Sequence, residues 1–180
     1  MSLRVVNIVS TCQLNSSFNL NTLAQTLINV EYNPSKFSGL IKKIRSPHTT
    51  ILLFSNGKCV VTGAKTENDS KRSIRKLCKQ LKTSFKDFKI QNIVASTDIT
   101  PVITKKSGTV IDLVRLHEVI DSTYEPERYS ALIIKREVKT IIFHNGKINF
   151  TGAKEFDTLQ SAYIDVLTLL ENNNFIVFDV

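Results

Sequence analysis

The tetrapeptide Thr-Gly-Ala-Lys occurs twice in this chain of 180 residues, at Thr62–Lys65 and at Thr151–Lys154. Its surroundings repeat with it. Phe54-Ser-Asn-Gly-Lys58 precedes the first copy and Phe143-His-Asn-Gly-Lys147 the second. Further upstream, Tyr32-Asn-Pro34 corresponds to Tyr124-Glu-Pro126, and Asn7-Ile-Val-Ser-Thr11 to Asn92-Ile-Val-Ala-Ser96. The order is the same in both series, so the chain is a duplicated unit of roughly 90 residues with small insertions and deletions. One unit must therefore fold into something that can be built twice, and two repeats are expected, 1–87 and 88–180.

Each repeat has the same grammar. A β-rich run opens it (3–12, 88–98), a short helical pattern comes second (about 19–29, about 107–120), and then a Tyr-x-Pro turn. Apolar runs broken at Asn-Gly come next, Ile51–Phe54 before Cys59–Thr62 and Thr140–Phe143 before Ile148–Thr151. Asn-Gly between β-rich runs is a strong hairpin signal, because both residues tolerate positive φ. A long helical pattern closes each repeat, 67–83 and 155–171, with Glu67, Asp69, Glu155 and Asp157 suited to the positive end of a helix. Strand, helix, three antiparallel strands, helix is an α+β unit.

Alternation assigns the strand faces. Lys58, Val60 and Thr62 share one side and Cys59, Val61 and Gly63 the other; Leu52 and Phe54 oppose Ile51 and Leu53. Both faces are largely apolar. Either helices cover both, or one is an uncharged binding surface, and two helices per repeat favour a single helical layer. On the opening strands Asn7, Val9 and Thr11 share a face, as do Asn92, Val94 and Ser96. The chain carries 24 Lys+Arg against 16 Asp+Glu, a formal charge of +8, which favours nucleic acid first and an anionic membrane surface second. An apolar surface with amides and hydroxyls at its centre and cations at its rim matches the DNA minor groove, whose A·T edges offer only acceptors.

Enzyme chemistry finds no support. Cys12, Cys59 and Cys78 lack CxxC spacing and read as free thiols of a reducing compartment; His48, His117 and His144 have no ligand-spaced partners. No GxxxxGK[ST] precedes Lys65 or Lys154, and no cofactor or metal is expected. Neither a secretory signal nor an 18-residue apolar run is present, so a soluble intracellular protein is expected.

The segments Asn-Ile-Val-Ser-Thr, Tyr-Asn-Pro-Ser-Lys-Phe-Ser-Gly-Leu-Ile, Phe-Ser-Asn-Gly-Lys-Cys-Val-Val-Thr-Gly-Ala-Lys and Asp-Phe-Lys-Ile-Gln-Asn-Ile-Val-Ala-Ser together resemble the core of the TATA-box-binding protein family, over about 4–171. The resemblance implies a saddle-shaped, pseudo-two-fold fold with a continuous curved antiparallel sheet on the concave side and helices on the convex side. It implies binding and kinking of A·T-rich double-stranded promoter DNA through the minor groove, a property known of the family. Asn7 and Asn92 would meet central base edges beside Val9, Thr11 and Val94; Leu52, Val60, Thr62, Ile141, Asn149 and Thr151 would line the rest of the DNA face. Phe37 and Phe54 would form one wedge and Tyr129 with Phe143 the other, while Lys43, Lys58, Lys135 and Lys147 would hold phosphates. Glu125, Glu127 and Arg128 would face a B-class initiation factor that brings in RNA polymerase, and the basic helix with Lys71, Arg72, Arg75 and Lys79 an A-class factor or regulators. A nuclear location is expected, or a cytoplasmic one in a cell without a nucleus or for a cytoplasmic virus.

The second repeat departs from the family pattern. Phe37 and Phe54 lie 17 positions apart but Tyr129 and Phe143 only 14, so the second hairpin is shortened by three residues. Tyr129 stands where a phenylalanine is usual, Asn149 where an apolar residue is, and Arg128 comes after Glu127 in place of an apolar residue. These departures raise an alternative, a divergent paralogue acting mainly as a protein-interaction platform.

Overall fold

The computed structural model of the chain describes residues 3–99, 109–172 and 176–178. Two compact units form, an N-terminal one of Val6–Asn92 and a C-terminal one of Ile93–Val180 together with Met1–Val5.

The N-terminal unit runs β1 (Arg4–Leu14), α1 (Leu20–Thr26), β2 (Val30–Glu31), β3 (Leu40–Ile44), β4 (Thr49–Leu53), β5 (Lys58–Ala64) and α2 (Glu67–Leu81), then enters β6 (Phe85–Asp98). Its sheet has the antiparallel order β2-β3-β4-β5-β1. The C-terminal unit continues β6 through β7 (Thr109–Ile111), α3 (Leu113–Val119), β8 (Thr123–Glu125), β9 (Tyr129–Lys135), β10 (Lys139–Phe143), β11 (Lys147–Ala153), α4 (Phe156–Asn172) and β12 (Ile176–Phe178). Its order is β8-β9-β10-β11-β6, again antiparallel, and β12 pairs with β7 in a separate two-stranded sheet. The architecture is α+β, as the repeat grammar predicts.

Local chemistry sets the helix starts. The side chains of Asn19, Thr66 and Asp112 accept from the backbone N–H of Thr22 (3.2 Å), Asp69 (3.0 Å) and Arg115 (3.0 Å), satisfying donors that the first turn leaves open. Helices occupy one side of each sheet. Ile74 and Leu77 of α2 and Leu20 of α1 join Ile51, Leu53, Cys59 and Val61 in the N-terminal core. In the C-terminal unit Leu159, Tyr163, Val166 and Leu170 of α4 are buried, as are Ile142, Ile148 and Phe150 of the strands. The question left by the apolar strands is thereby answered: one face is fully buried under helices, and the other stays half-exposed.

Four expectations change. Each repeat has four strands between its two helices, because short edge strands, β2 and β8, precede the hairpin; strands of two or three residues are too short to show a period. The helical pattern read over about 107–120 is confined to Leu113–Val119, since the β-branched run Thr109-Val-Ile111 pairs with β12 and Asp112 caps a helix that begins only at Leu113; positions 107 and 108 lie outside the described residues. The pattern at 19–29 ends at Thr26, ahead of Asn29 at φ 53°.

The Asn-Gly turns also differ. Only the glycines have positive φ, 83° at Gly57 and 82° at Gly146. The asparagines act through their side chains, Asn56 Oδ1 accepting from Lys58 N (3.0 Å) and Asn145 Oδ1 from Lys147 N (3.2 Å). A side chain at Gly57 would also collide with the Ser16 carbonyl.

Candidate nucleic-acid interface

Register shows why Thr-Gly-Ala-Lys is written twice. Gly63 (φ 88°) and Gly152 (φ 105°) each sit at a break in strand pairing, between β5 and β1 and between β11 and β6. An extra residue in left-handed conformation bends a strand, and glycine adopts it without a Cβ penalty. In the N-terminal unit the bulge turns the Gly63 N–H onto Asn7 Oδ1 at 2.7 Å, and the Thr62 hydroxyl adds a second bond at 3.3 Å. A backbone N–H can only donate, so it fixes the orientation of the Asn7 amide: oxygen inward, NH2 outward.

On the half-exposed face, pairing aligns Ile41, Leu52, Val60 and Thr11 across β3, β4, β5 and β1. The C-terminal unit aligns Ile133, Ile141, Asn149 and Ser96 across β9, β10, β11 and β6 in the same way. Neither row contains a charge. Asn7, Val9 and Thr11 share the half-buried side of β1, and Asn92 and Val94 that of β6, although Asn92 falls in the N-terminal unit and Val94 in the C-terminal one. Thr62 and Thr151 are half-buried on β5 and β11. Ile41 and Ile133 join this surface by register, and Ser96 lies on it as alternation along its strand predicts.

Each sheet ends in an aromatic pair. The rings of Phe37 and Phe54 lie 5.8 Å apart at 70°, and those of Tyr129 and Phe143 lie 6.0 Å apart at 70°. The edge-to-face geometry is thus reproduced despite the shorter second hairpin. Pairing explains how: Leu40 faces Leu53 and Leu132 faces Ile142, so the strands leave both aromatic pairs in step. The shortening falls at the far turn, where Lys135 and Lys139 are already opposite one another while Lys43 pairs with Thr50. Phe37 and Tyr129 are 37% and 45% exposed, unusual for large rings and fit for contact with an outside partner.

Cations edge both surfaces. Lys58 and Lys147 come directly after the Asn-Gly turns and are exposed, as are Lys43 and Lys135 on β3 and β9. Lys43 is engaged by Glu31 at 2.5 Å. Lys139, exposed on the face of Ile141 and Phe143, stands one residue before the apolar run of β10 and carries no apolar signal in the sequence.

The other predicted contact residues divide by their local partners. On α2, Lys71 is tied to Glu67 and lies 4.9 Å from the centre of the Phe88 ring, and Arg72 lies 3.7 Å from Asp69. Arg75 and Lys79 are exposed, and neither pairs with a carboxylate among the described residues. Arg128 lies 3.2 Å from Glu125, while Glu127 between them is exposed. Cys12, Cys59 and Cys78 are buried free thiols of the N-terminal unit. Hydrogen bonding with Cys12, and then burial, raise the pKa of Cys59, so it remains a protonated packing group. No cluster of His, Cys, Asp or Glu among the described residues could hold a metal, and no described helix is long and apolar enough to cross a membrane.

Known proteins resemble this chain in sequence and in fold. Residues 2–84 and 87–173 match the family described as transcription factor TFIID, or TATA-binding protein. The TATA-box-binding protein of Candida albicans is 41% identical over 172 residues, covering 91% of this chain and 70% of that protein. The TATA-box-binding protein-like 1 of Entamoeba histolytica is 37% identical, covering 92% and 78%. The solved Methanococcus jannaschii TBP superposes with a TM-score of 0.80 at 27% identity, over 96% of this chain and 99% of that one. With both repeats matched and the fold superposing end to end, the chain belongs to the TATA-binding protein family.

Proposed function

We propose that the chain is a general transcription initiation factor that binds and bends A·T-rich promoter DNA through the minor groove, its repeats 1–87 and 88–180 each gripping half of the site. One observation carries the reading: the same uncharged, half-exposed row beside an aromatic pair with one exposed ring is built twice. A minor groove offers A·T acceptors between apolar sugar walls. The outward NH2 of Asn7 is a donor for such acceptors, and Val9, Leu52, Val60, Val94 and Ile141 suit the walls. Each aromatic pair would enter a base step and unstack it. The lysines would take up phosphates, and this part of the affinity would fall with salt.

On this reading Glu127, with Glu125 and Arg128, belongs to the surface for a B-class initiation factor that recruits RNA polymerase, and Arg75 and Lys79 lead the basic surface for an A-class factor or regulators. The work is non-enzymatic and nuclear.

The test compares binding of an A·T-rich duplex and its G·C-substituted counterpart at fixed salt, with bending read by energy transfer between labelled DNA ends. The wild-type chain should prefer and bend the A·T duplex, and Phe54→Ala should lose bend angle and affinity together. Full bending by Phe54→Ala would remove the wedge role. Asn149 facing Leu52's counterpart Ile141, where the first repeat has Val60, favours a second reading, a paralogue working mainly as a protein platform. A wild-type chain indifferent to the G·C substitution would establish that reading instead.

A further inference from the structure

At the outer corner of the C-terminal sheet, β9 and β10 set Lys135 directly opposite Lys139, and β11 brings Thr151 next to Lys139. Alternation puts Lys139 on the side of Ile141 and Phe143, and Lys135 on the side of Ile133. Both lysines are exposed. Like charges directly opposite on neighbouring strands repel, so this pair weakens its own hairpin unless an anion sits between the ammonium groups.

The N-terminal unit shows the same corner without the conflict. Its row is Lys43, Thr50 and Thr62, and Lys43 is neutralised by Glu31 of β2 at 2.5 Å. Glu31 pairs with Ile41, as Thr123 of β8 pairs with Ile133. The second repeat has therefore exchanged the acid for Thr123 and the threonine for Lys139, adding a cation and removing an anion at one corner. No carboxylate pairs with Lys135 or Lys139 among the described residues. Glu137, in the turn between them, is exposed and makes no ion pair among the described residues.

We propose that Lys135 and Lys139 form a two-lysine seat for a backbone phosphate, present in the C-terminal unit and absent from the N-terminal one. The proposal rests on the DNA-binding reading above and adds a contact to it. A phosphodiester suits the position better than an acidic helix does. The seat offers only two cations, carried on strands about 4.8 Å apart, at the edge of an uncharged strip and not along a charged ridge.

The experiment titrates a labelled A·T-rich duplex with the full chain at several KCl concentrations, for wild type, Lys139→Thr and Lys139→Arg. Each neutralised phosphate contributes about 0.9 to the slope of log K against log salt. Lys139→Thr, which installs the N-terminal arrangement, should lower that slope by about one unit, equally on A·T and G·C duplexes; Lys139→Arg should keep it. Lys139→Thr should fold at least as well as wild type, because a repulsion has been removed, and a circular-dichroism melt checks this. An unchanged slope for Lys139→Thr overturns the seat while leaving A·T preference, and with it the functional reading, untouched. A wild-type chain without A·T preference sinks the minor-groove reading, yet the slope difference still decides the seat. Displacement of a poly-glutamate probe by Lys139→Thr with no change in duplex slope would assign the lysines to an acidic protein partner and overturn the proposal.

Discussion

Where α2 lies on the N-terminal sheet, hydroxyls meet: Ser10 with Ser70 at 2.5 Å and Thr49 with Ser73 at 2.7 Å, all four buried. The matching positions of the C-terminal unit hold Ala95 with Leu159 and Val138 with Ala162, also buried or nearly so. The C-terminal unit instead drives Phe150 against Tyr163, rings 6.1 Å apart at 80°, where the N-terminal one has Val61 and Ile74. Hydrogen bonds fix direction but add little net free energy, whereas a buried ring contributes area and tolerates less truncation. One backbone plan thus accepts two kinds of helix-to-sheet joint, because the strand faces and bulges that define the candidate interface lie on the opposite side.

The sharpest way to break this comparison is at the aromatic joint. Phe150 is fully buried, and Phe150→Ala should cost about 3–5 kcal/mol through lost transfer energy and the cavity left behind. Urea unfolding measures the cost, and amide exchange should show the loosening first in β6, β10, β11 and α4. A loss below about 1 kcal/mol would mean that the ring is not what holds α4 down. A smaller effect is expected at the hydroxyl joint. Ser70→Ala leaves the Ser10 hydroxyl buried without this partner and should cost about 1–3 kcal/mol, whereas Ser10→Ala/Ser70→Ala should cost clearly less than the two single changes added together. Additive losses would show that the two serines act separately.

How much of this could be read beforehand depends on whether a feature lives on one strand or between two. The duplication is legible from repeated segments, the helices from periodicity, and the division of Cys59 and Val61 from Val60 and Thr62 from alternation, which does not say which of the two sides is buried. Register is not. Lys139 precedes the apolar run and looks like an ordinary turn residue until pairing sets it against Lys135. The bulge role of Gly63 is equally hidden, since alternation alone places Gly63 with Cys59 and Val61, whereas the structure exposes it and hands its N–H to Asn7. The same limit applies to the basic helix, where six cations look alike in sequence. In the fold Lys71 is taken by Glu67, Arg72 lies near Asp69 and Lys76 bonds the Ser46 carbonyl, which leaves Arg75, Lys79 and Lys82 as exposed cations with no acid among the described residues.

The mildest probe concerns a position where the two units differ by one polar atom. Thr97 on β6 corresponds to Cys12 on β1, and both are buried. The Thr97 hydroxyl has no hydrogen-bond partner among the described residues, although it is shut away from solvent. A buried hydroxyl without a partner loses its hydration and receives nothing in exchange, a penalty of about 1–3 kcal/mol. Thr97→Val keeps the β-branched shape that suits a strand and removes the orphan group. The substitution should therefore stabilise by about 1 kcal/mol, raising Tm by roughly 2–4 °C in a chain of this size. It should leave duplex affinity unchanged, because Thr97 lies on the helix side of β6 while Ser96 lies on the other. A lower Tm for Thr97→Val would show that the hydroxyl is satisfied in solution, and the C-terminal core would then be less purely apolar than its contrast with the serine-paired unit implies.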